Sequence, residues 1–194
     1  MIRLWGLTLT LTYGEVSDSF AAFLAQDVLP APTHHTPHFL DFGAGRGRLS
    51  LSLALQCPDW CLDGVEIVAP RTRHYPQLLT AYAYHRSRHL LSGGTLQLRC
   101  GDALAEDFSL YDVIFINNTV FDLNKVEGGL TSQILSKIAT TMFVRPCLII
   151  STKPLGLLNG ARSRPIRVPL AAQHTSFCNN SVLQTIYLQT VQPL

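Results

Sequence analysis

The sequence predicts an α/β protein built on a doubly wound, mainly parallel sheet that ends in a C-terminal antiparallel hairpin. From residue 38 to residue 152, apolar runs of strand length alternate with segments of helical periodicity. The chain then ends in β-rich sequence, with alternating character over residues 181–191. Because 194 residues with 47% hydrophobic content suffice for one core, residues 1–194 are predicted to form a single domain.

Helix and strand signals follow one another along the chain. The first helix is predicted over residues 17–29, where Ser17 or Asp18 can cap it. A strand begins at His38, and further strands are predicted at residues 61–67, 95–100, 111–116 and 146–152. Helices are predicted at residues 49–55, 68–91 and 122–143, the second with breaks near Pro70 and Pro76.

A glycine loop joins the strand at His38 to the helix that follows, in the pattern D-x-G-x-G-x-G. A dinucleotide site would use G-x-G-x-x-G, with no fixed negative charge beside the pyrophosphate. Here Asp41 would repel a pyrophosphate but attract the ammonium group of S-adenosylmethionine (SAM), whose methionine end would lie over Gly43 and Gly45. The loop therefore favours SAM, with NAD and a ligand-free turn as the alternatives.

Polar residues also stand at the ends of the other predicted strands. Glu66 lies one strand–helix–strand unit after Asp41, where a carboxylate accepts the ribose hydroxyls of an adenosine. Asp102 follows the third strand, where an acid can hold the adenine amino group. Asn117 follows the fourth, and its side-chain oxygen can accept hydrogen bonds from an amine and aim the nitrogen lone pair at a sulfonium methyl group. The pattern predicts methyl transfer to an amine.

Composition limits the partners. A net charge of +2 does not by itself imply nucleic acid. The five cysteines are scattered without paired metal-ligand spacing, so we expect an intracellular protein without a metal site. We interpret His34, His35 and His38, in or beside a Pro-rich loop, as solvated. No apolar run approaches the length of a membrane span, so no membrane contact is expected.

Six segments, in order from about residue 12 to residue 160, resemble one enzyme family. They are YGE at 13–15, DFGAGRG at 41–47, GVE at 64–66, GD at 101–102, VIFINNTVF at 113–121 and STKPLGLLN at 151–159. This set resembles the non-SET histone lysine methyltransferases, the disruptor-of-telomeric-silencing family. The segments with Asn-Asn and with Ser-Thr-Lys-Pro are far more specific than the glycine loop.

The resemblance implies a Rossmann-like class I SAM-dependent methyltransferase that methylates a lysine in the globular core of histone H3 within nucleosomes, in the nucleus. Residues 1–37 would form an N-terminal segment that closes over the cofactor, and residues 38–194 the catalytic core. Asn117 and Tyr13 would be catalytic, and Phe121 and Ser151 would line the substrate channel. The residues implied in cofactor binding are Tyr13, Glu15, Asp41, Gly43, Gly45, Glu66, Asp102 and Asn117.

The sequence also departs from the family's pattern. The last strand of the family usually carries a tyrosine pair at the channel mouth, whereas Ile186 precedes Tyr187 here. The sequence shows no Lys-rich segment of the kind with which the family contacts DNA. Three arginines are the first candidates for contact with DNA or an acidic histone surface. They are Arg162, Arg164 and Arg167. A non-histone protein or a small-molecule amine as substrate, and a SAM-binding module without activity, remain alternatives.

Overall fold

The computed structural model describes residues 3–4, 7–8, 16–31, 34–89, 94–119, 129–156, 163–173 and 185–193. Near the N-terminus, β1 (Arg3–Leu4) pairs with β2 (Leu7–Thr8) in an antiparallel arrangement. All other described strands belong to one seven-stranded sheet. They are β3 (His38–Phe42), β4 (Cys61–Glu66), β5 (Leu96–Cys100), β6 (Val113–Ile116), β7 (Cys147–Ser151), β8 (Arg164–Arg167) and β9 (Thr185–Val191).

The sheet has the order β5-β4-β3-β6-β7-β9-β8. Strands β3 to β7 are paired in parallel, and β9 runs antiparallel to both β7 and β8. The chain runs outward from β3 in one direction to β4 and β5, and in the other to β6 and β7. This reversal at β3 is the topological switch point beside which ligands bind in open α/β sheets. The predicted doubly wound sheet with a C-terminal antiparallel pair is confirmed.

One strand of the C-terminal pair lies in a segment for which no strand was predicted. β8 is formed by Arg164–Arg167, inside the segment that was interpreted only as rich in arginine. It is the edge strand of the sheet, where proline is tolerated because one side of the strand needs no ladder donors. Arg-Pro-Ile-Arg therefore forms a strand through its pairing with β9, without the alternation that marks a half-buried strand.

Four α-helices are described: α1 (Asp18–Phe23), α2 (Arg48–Gln56), α3 (Tyr75–His89) and α4 (Leu130–Thr140). Ser17 is the cap of α1, since its hydroxyl accepts a hydrogen bond from the backbone N–H of Phe20 at 3.1 Å. A π-helical turn, Leu24–Val28, continues α1, and a 3₁₀ turn, Ala69–His74, precedes α3. Pro76 lies in the first turn of α3, where a missing N–H costs little, so it does not break the helix.

The helix predicted over residues 122–143 is described only from Leu130, and residues 120–128 lie outside the described part of the chain. No helix in the described ranges combines the length and apolar character needed to cross a membrane.

The core has two layers, one on each face of the sheet. Helices α1, α2 and α3 cover one face, where Phe20, Leu24 and Leu53 pack without exposure to solvent. Helix α4 covers the other face with Ile134 and Ile138. The apolar side of α1 is thus part of the same core as the central strands. Residues 20–24 of the predicted N-terminal segment are built into the domain.

Candidate cofactor and active site

The carboxyl ends of the five parallel strands lie along one edge of the sheet. The register of the pairs β5-β4, β4-β3, β3-β6 and β6-β7 brings Glu66, Asp102, Asn117 and Ser151 to this edge, with Asp41 one residue inside it. The structure therefore brings together the described residues that were predicted to form the site. Tyr13, Glu15, Phe121 and Arg162 lie outside the described residues.

The glycine loop between β3 and α2 is held by hydrogen bonds from two sides. The N–H groups of Gly43 and Ala44 donate to the carbonyl of Val65 at 2.9 and 3.0 Å, which ties the loop to β4. The hydroxyl of Tyr75, a buried residue at the start of α3, donates to the carbonyl of Gly45 at 2.8 Å. Sequence reasoning missed Tyr75 because an aromatic residue at helical spacing looks like ordinary core.

Two glycines of the loop share a backbone conformation but have different surroundings. Gly43 and Gly47 have φ values of 77° and 81°, in the left-handed region. A Cβ on Gly47 would lie 2.8 Å from Leu98 Cδ1 and 3.3 Å from the Tyr75 ring, whereas one on Gly43 would meet nothing within 4 Å. Gly47 therefore serves packing. Gly43, exposed at the switch point, leaves open a space in which a ligand can lie against the backbone.

Glu66 is buried, and its carboxylate holds the loop in place. Its Oε2 accepts a hydrogen bond from the Gly45 N–H at 2.9 Å, and its Oε1 accepts one from the Val68 N–H at 2.8 Å. Arg71 Nη1 lies 3.6 Å from the same Oε1. Each carboxylate oxygen retains a second lone pair for a ribose hydroxyl. Because Glu66 is only 2% exposed, a ribose has little access to it unless the loop or the Arg71 side chain moves.

The Asp41 side chain is hydrogen-bonded to α2. The hydroxyl of Ser50 donates to Asp41 Oδ2 at 2.7 Å, and the residue is 3% exposed. Burial, assisted by the negative charge of Glu66 and opposed by the Ser50 hydrogen bond, raises the pKa of Asp41 to about 7. At neutral pH Asp41 therefore lacks the full negative charge on which the choice of SAM over a dinucleotide relied. Its observed contact stabilises the packing of β3 against α2.

Asp102 lies at the end of β5 and is exposed. Its Oδ1 accepts a hydrogen bond from the Leu104 N–H at 2.9 Å and thereby caps the short 3₁₀ turn Ala103–Ala105. The backbone N–H of Gly101 donates to the Glu66 carbonyl at 3.0 Å, which joins the ends of β4 and β5. Asp102 combines a local capping role with a position at the proposed adenine end of the site.

Asn118 is a site residue that sequence reasoning overlooked. It is 3% exposed, its Nδ2 donates to the Lys153 carbonyl at 3.1 Å, and its Oδ1 accepts from the Lys153 N–H at 2.7 Å. These bonds clamp the end of β6 to the turn that follows β7. The available signal was the Asn-Asn doublet at a strand end, of which only the first residue was considered.

Asn117, the predicted catalytic residue, is half-buried beside this clamp. Its Oδ1 lies 2.8 Å from the hydroxyl of Thr119 and 3.2 Å from that of Thr152. The two hydroxyls lie 2.9 Å apart, and Thr152 also reaches Asn118 Oδ1 at 3.1 Å. Because each hydroxyl has a single proton, the four side chains share their hydrogen bonds in alternative patterns. A substrate amine would have to replace a hydroxyl in order to donate to Asn117.

Ser151 is buried at the end of β7, in register with Tyr187 of β9. Ile186, which precedes Tyr187, has no exposure and belongs to the core on the α1 side of the sheet. Since neighbouring strand residues face opposite ways, Tyr187 faces the other side of the sheet and is only partly buried. The presence of Ile186 at a position where the family usually has tyrosine is thus explained by its packing in the core.

Of the arginines proposed for contact with DNA, the two that the structure describes do not lie on one face of the sheet. Arg164 and Arg167 are both exposed on β8. Because they are separated by three positions, they lie on opposite faces of this edge strand. A flat partner that lies on one face of the sheet therefore contacts only one of these two arginines.

His35, predicted to be solvated, instead contacts Asp112 with its side chain at the amino edge of the sheet, and the backbone of His38 contacts the same residue. His35 Nε2 lies 2.9 Å from Asp112 Oδ1, and the His38 N–H donates to Asp112 Oδ2 at 2.8 Å. Among the described residues there is no group of three or more His, Cys, Asp or Glu side chains placed to hold a metal ion.

No protein-family model matches the sequence, and no curated protein matches it. Solved structures do share its fold. A Pyrococcus horikoshii protein described as a transferase has a TM-score of 0.50 at 11% identity, over 90% of this chain and 63% of its own. A geranyl diphosphate methyltransferase solved with GPP and sinefungin has a TM-score of 0.45 at 14% identity, over 69% of this chain. A precorrin-6y C5,15-methyltransferase from Geobacter metallireducens has a TM-score of 0.38 at 13% identity, over 91% of this chain and 86% of its own.

The chain spans only 44% of the geranyl diphosphate methyltransferase, less than half of that enzyme. At these identities the likeness concerns architecture alone. Together with the strand order, the match to the Pyrococcus horikoshii protein shows a Rossmann-like α/β fold with a mainly parallel sheet, as predicted from the sequence.

Proposed function

We propose that the protein is a SAM-dependent methyltransferase. The open space above Gly43 is the observation that supports this most directly. It lies at the switch point of the sheet, between Glu66 on one side and the Asn117 group on the other. A cofactor that places its methionine end on the loop and its ribose toward Glu66 fits this arrangement. SAM would supply an activated methyl group on a positively charged sulfur.

The residues of the chain would bind and align the two reactants. The backbone at Gly43 allows close approach, and Asp102 would offer its remaining carboxylate oxygen to an adenine amino group. Glu66 would offer lone pairs to ribose hydroxyls once the loop or the Arg71 side chain has moved. Because transfer to an amine is an in-line displacement that discharges the sulfonium, alignment and exclusion of water contribute more than a strong base. Asn117 would orient the amine once a threonine hydroxyl has turned away.

For the substrate, we propose a lysine in the globular core of histone H3 within nucleosomes, which implies a chromatin enzyme in the nucleus. The support is the resemblance of the segments at 113–121 and 151–159. In the structure, Asn118 of the first segment and Lys153 of the second are joined by two hydrogen bonds. Arg162, Arg164 and Arg167 are the proposed contacts with DNA or an acidic histone surface.

A second candidate is methyl transfer to a non-histone protein or a small-molecule amine. The positions of Arg164 and Arg167 on opposite faces of β8 favour it, because they do not form the continuous basic surface that a nucleosome would meet.

The test is transfer of a radiolabelled methyl group from SAM to nucleosomes, free histone H3, an H3 peptide and small-molecule amines. The histone proposal predicts that nucleosomes are much better substrates than the peptide, and that this preference weakens with added salt. Equal rates on nucleosome and peptide would remove the nucleosomal proposal. Labelling of small amines alone would establish the second candidate, and calorimetry without SAM binding would remove both.

A further inference from the structure

Two stretches of the chain contain basic residues and no acidic ones: residues 128–194, and the stretch between Glu66 and Asp102, which includes a surface helix. Between Glu66 and Asp102 there are five arginines, three histidines and no acidic residue. Since the whole chain carries +2, removing these five charges leaves −3 for the rest. Most of the stretch forms α3 and the turn before it. The fold therefore places a basic helix on the surface beside the edge strand β5. Of the five arginines, Arg71 pairs with Glu66 and Arg99 with Glu106.

The structure leaves two of these arginines exposed at the two ends of α3. Arg73 lies in the turn that precedes the helix, and Arg88 lies in its last turn. Among the described residues neither of them forms a salt bridge. At a helical rise of 1.5 Å per residue they are roughly 22 Å apart, about six nucleotide steps at 3.4 Å each.

A tyrosine lies between these charges on the outer side of the helix. Tyr84 is 63% exposed, so its ring contributes little to the core, which α3 contacts through Tyr75 and Tyr82 instead. Arg88 Nη1 donates to the Tyr84 hydroxyl at 3.3 Å, and the guanidinium carbon lies 5.8 Å from the ring centroid. An exposed ring beside an arginine is the combination on which single-stranded nucleic acids stack their bases and place their phosphates.

We propose that the outer side of α3 binds single-stranded nucleic acid, with phosphates at Arg73 and Arg88 and a base on Tyr84. An acidic protein would satisfy the arginines but would have no particular use for the ring. A duplex would offer phosphates but no unstacked base to a convex helix. This binding does not depend on the proposed methyl transfer and lies away from Asn117.

The experiment is fluorescence anisotropy of a labelled 20-nucleotide oligo-dT or oligo-U with the full chain at several salt concentrations. We expect Tyr84→Ala to weaken binding by about tenfold and Tyr84→Phe to preserve it, because stacking needs only the ring. Arg73→Gln and Arg88→Gln should each reduce the slope of log affinity against log salt by about 0.7. Circular dichroism should show an unchanged fold, since all three residues are exposed.

Lys137→Gln is the matched control. It removes one positive charge from α4, on the opposite face of the sheet, and should leave oligonucleotide binding unchanged. An equal loss in this variant would show that net charge alone attracts the oligonucleotide, and would overturn the proposal. Absence of binding at low salt would overturn it as well. Displacement by poly-glutamate together with full binding by Tyr84→Ala would identify an acidic protein surface as the partner instead.

Discussion

Gly43 and Gly47 provide a matched pair of positions, because their φ values differ by only a few degrees. A Cβ on Gly47 would lie against Leu98, whereas one on Gly43 would meet no protein atom within 4 Å. Alanine at either position brings a similar strain of about 1–2 kcal/mol for a left-handed residue. We expect Gly47→Ala to lower the free energy of unfolding by about 1–3 kcal/mol more than Gly43→Ala does, because its Cβ would overlap with the Leu98 side chain. Gly43→Ala should instead raise the Kd for SAM at least tenfold. Urea unfolding and calorimetry measure both effects, and unchanged SAM binding by Gly43→Ala would contradict the proposed site.

The raised pKa of Asp41 leads to a prediction of how the stability of the protein depends on pH. This pKa is raised from 3.8 to about 7 in the folded protein, so between these values the folded state binds more protons than the unfolded state. The contribution to stability is therefore complete below pH 4 and is lost as pH rises through 7. Converted at about 1.36 kcal/mol per pKa unit, this difference in pKa corresponds to a stability contribution on the order of 4 kcal/mol. Thermal unfolding at a series of pH values should show this fall in wild type and not in Asp41→Asn.

Ser50→Ala provides the companion measurement. The hydroxyl of Ser50 lowers the pKa of Asp41, so its removal should move the loss of stability to higher pH. A pH profile that is identical in wild type and in both variants would show that Asp41 does not titrate in this range.

At the scale of elements, the two asparagines at the end of β6 have different expected roles. Asn118 joins β6 to the turn after β7 and contributes to stability, whereas Asn117 is proposed to orient the substrate. Asn118→Ala would leave the N–H and the carbonyl of Lys153 without their partner, so we expect a loss of about 2–3 kcal/mol in urea unfolding. Asn117→Ala removes a half-buried side chain and should cost under about 1 kcal/mol. It should retain SAM binding but lose most methyl transfer. Full turnover by the Asn117 variant would remove its proposed role.

The elements show which features sequence patterns can predict. The parallel strands were predictable because each has apolar residues over the length of a strand and a polar residue at or just after its end. The register of the strands then places Glu66, Asp102 and Asn117 at one edge of the sheet. The edge strand β8 was not predictable, since its pairing with β9 determines its conformation. The partners of Glu66 were equally hidden, because they are backbone N–H groups that no residue pattern reveals.

At the scale of the whole molecule, a cofactor bound across the ends of several strands should stabilise the entire domain. SAM at one hundred times its Kd should add about 2.7 kcal/mol to the free energy of unfolding. NAD at the same concentration should add nothing. Thermal unfolding with each compound measures this. In the control Gly43→Ala, a tenfold higher Kd should reduce the effect of SAM to about 1.4 kcal/mol or less. An upward shift of Tm with NAD would assign the site to a dinucleotide.

The composition of β8 also affects how the protein behaves at high concentration. An open strand edge is a template on which another chain can add a strand, and natural sheets discourage this with charged side chains and proline. Arg164, Pro165 and Arg167 supply both on the outermost strand. Charge repulsion between two such edges and the missing N–H of the proline would oppose strand addition. Replacing the three residues with threonine or valine would favour self-association through this edge, visible as larger species in light scattering.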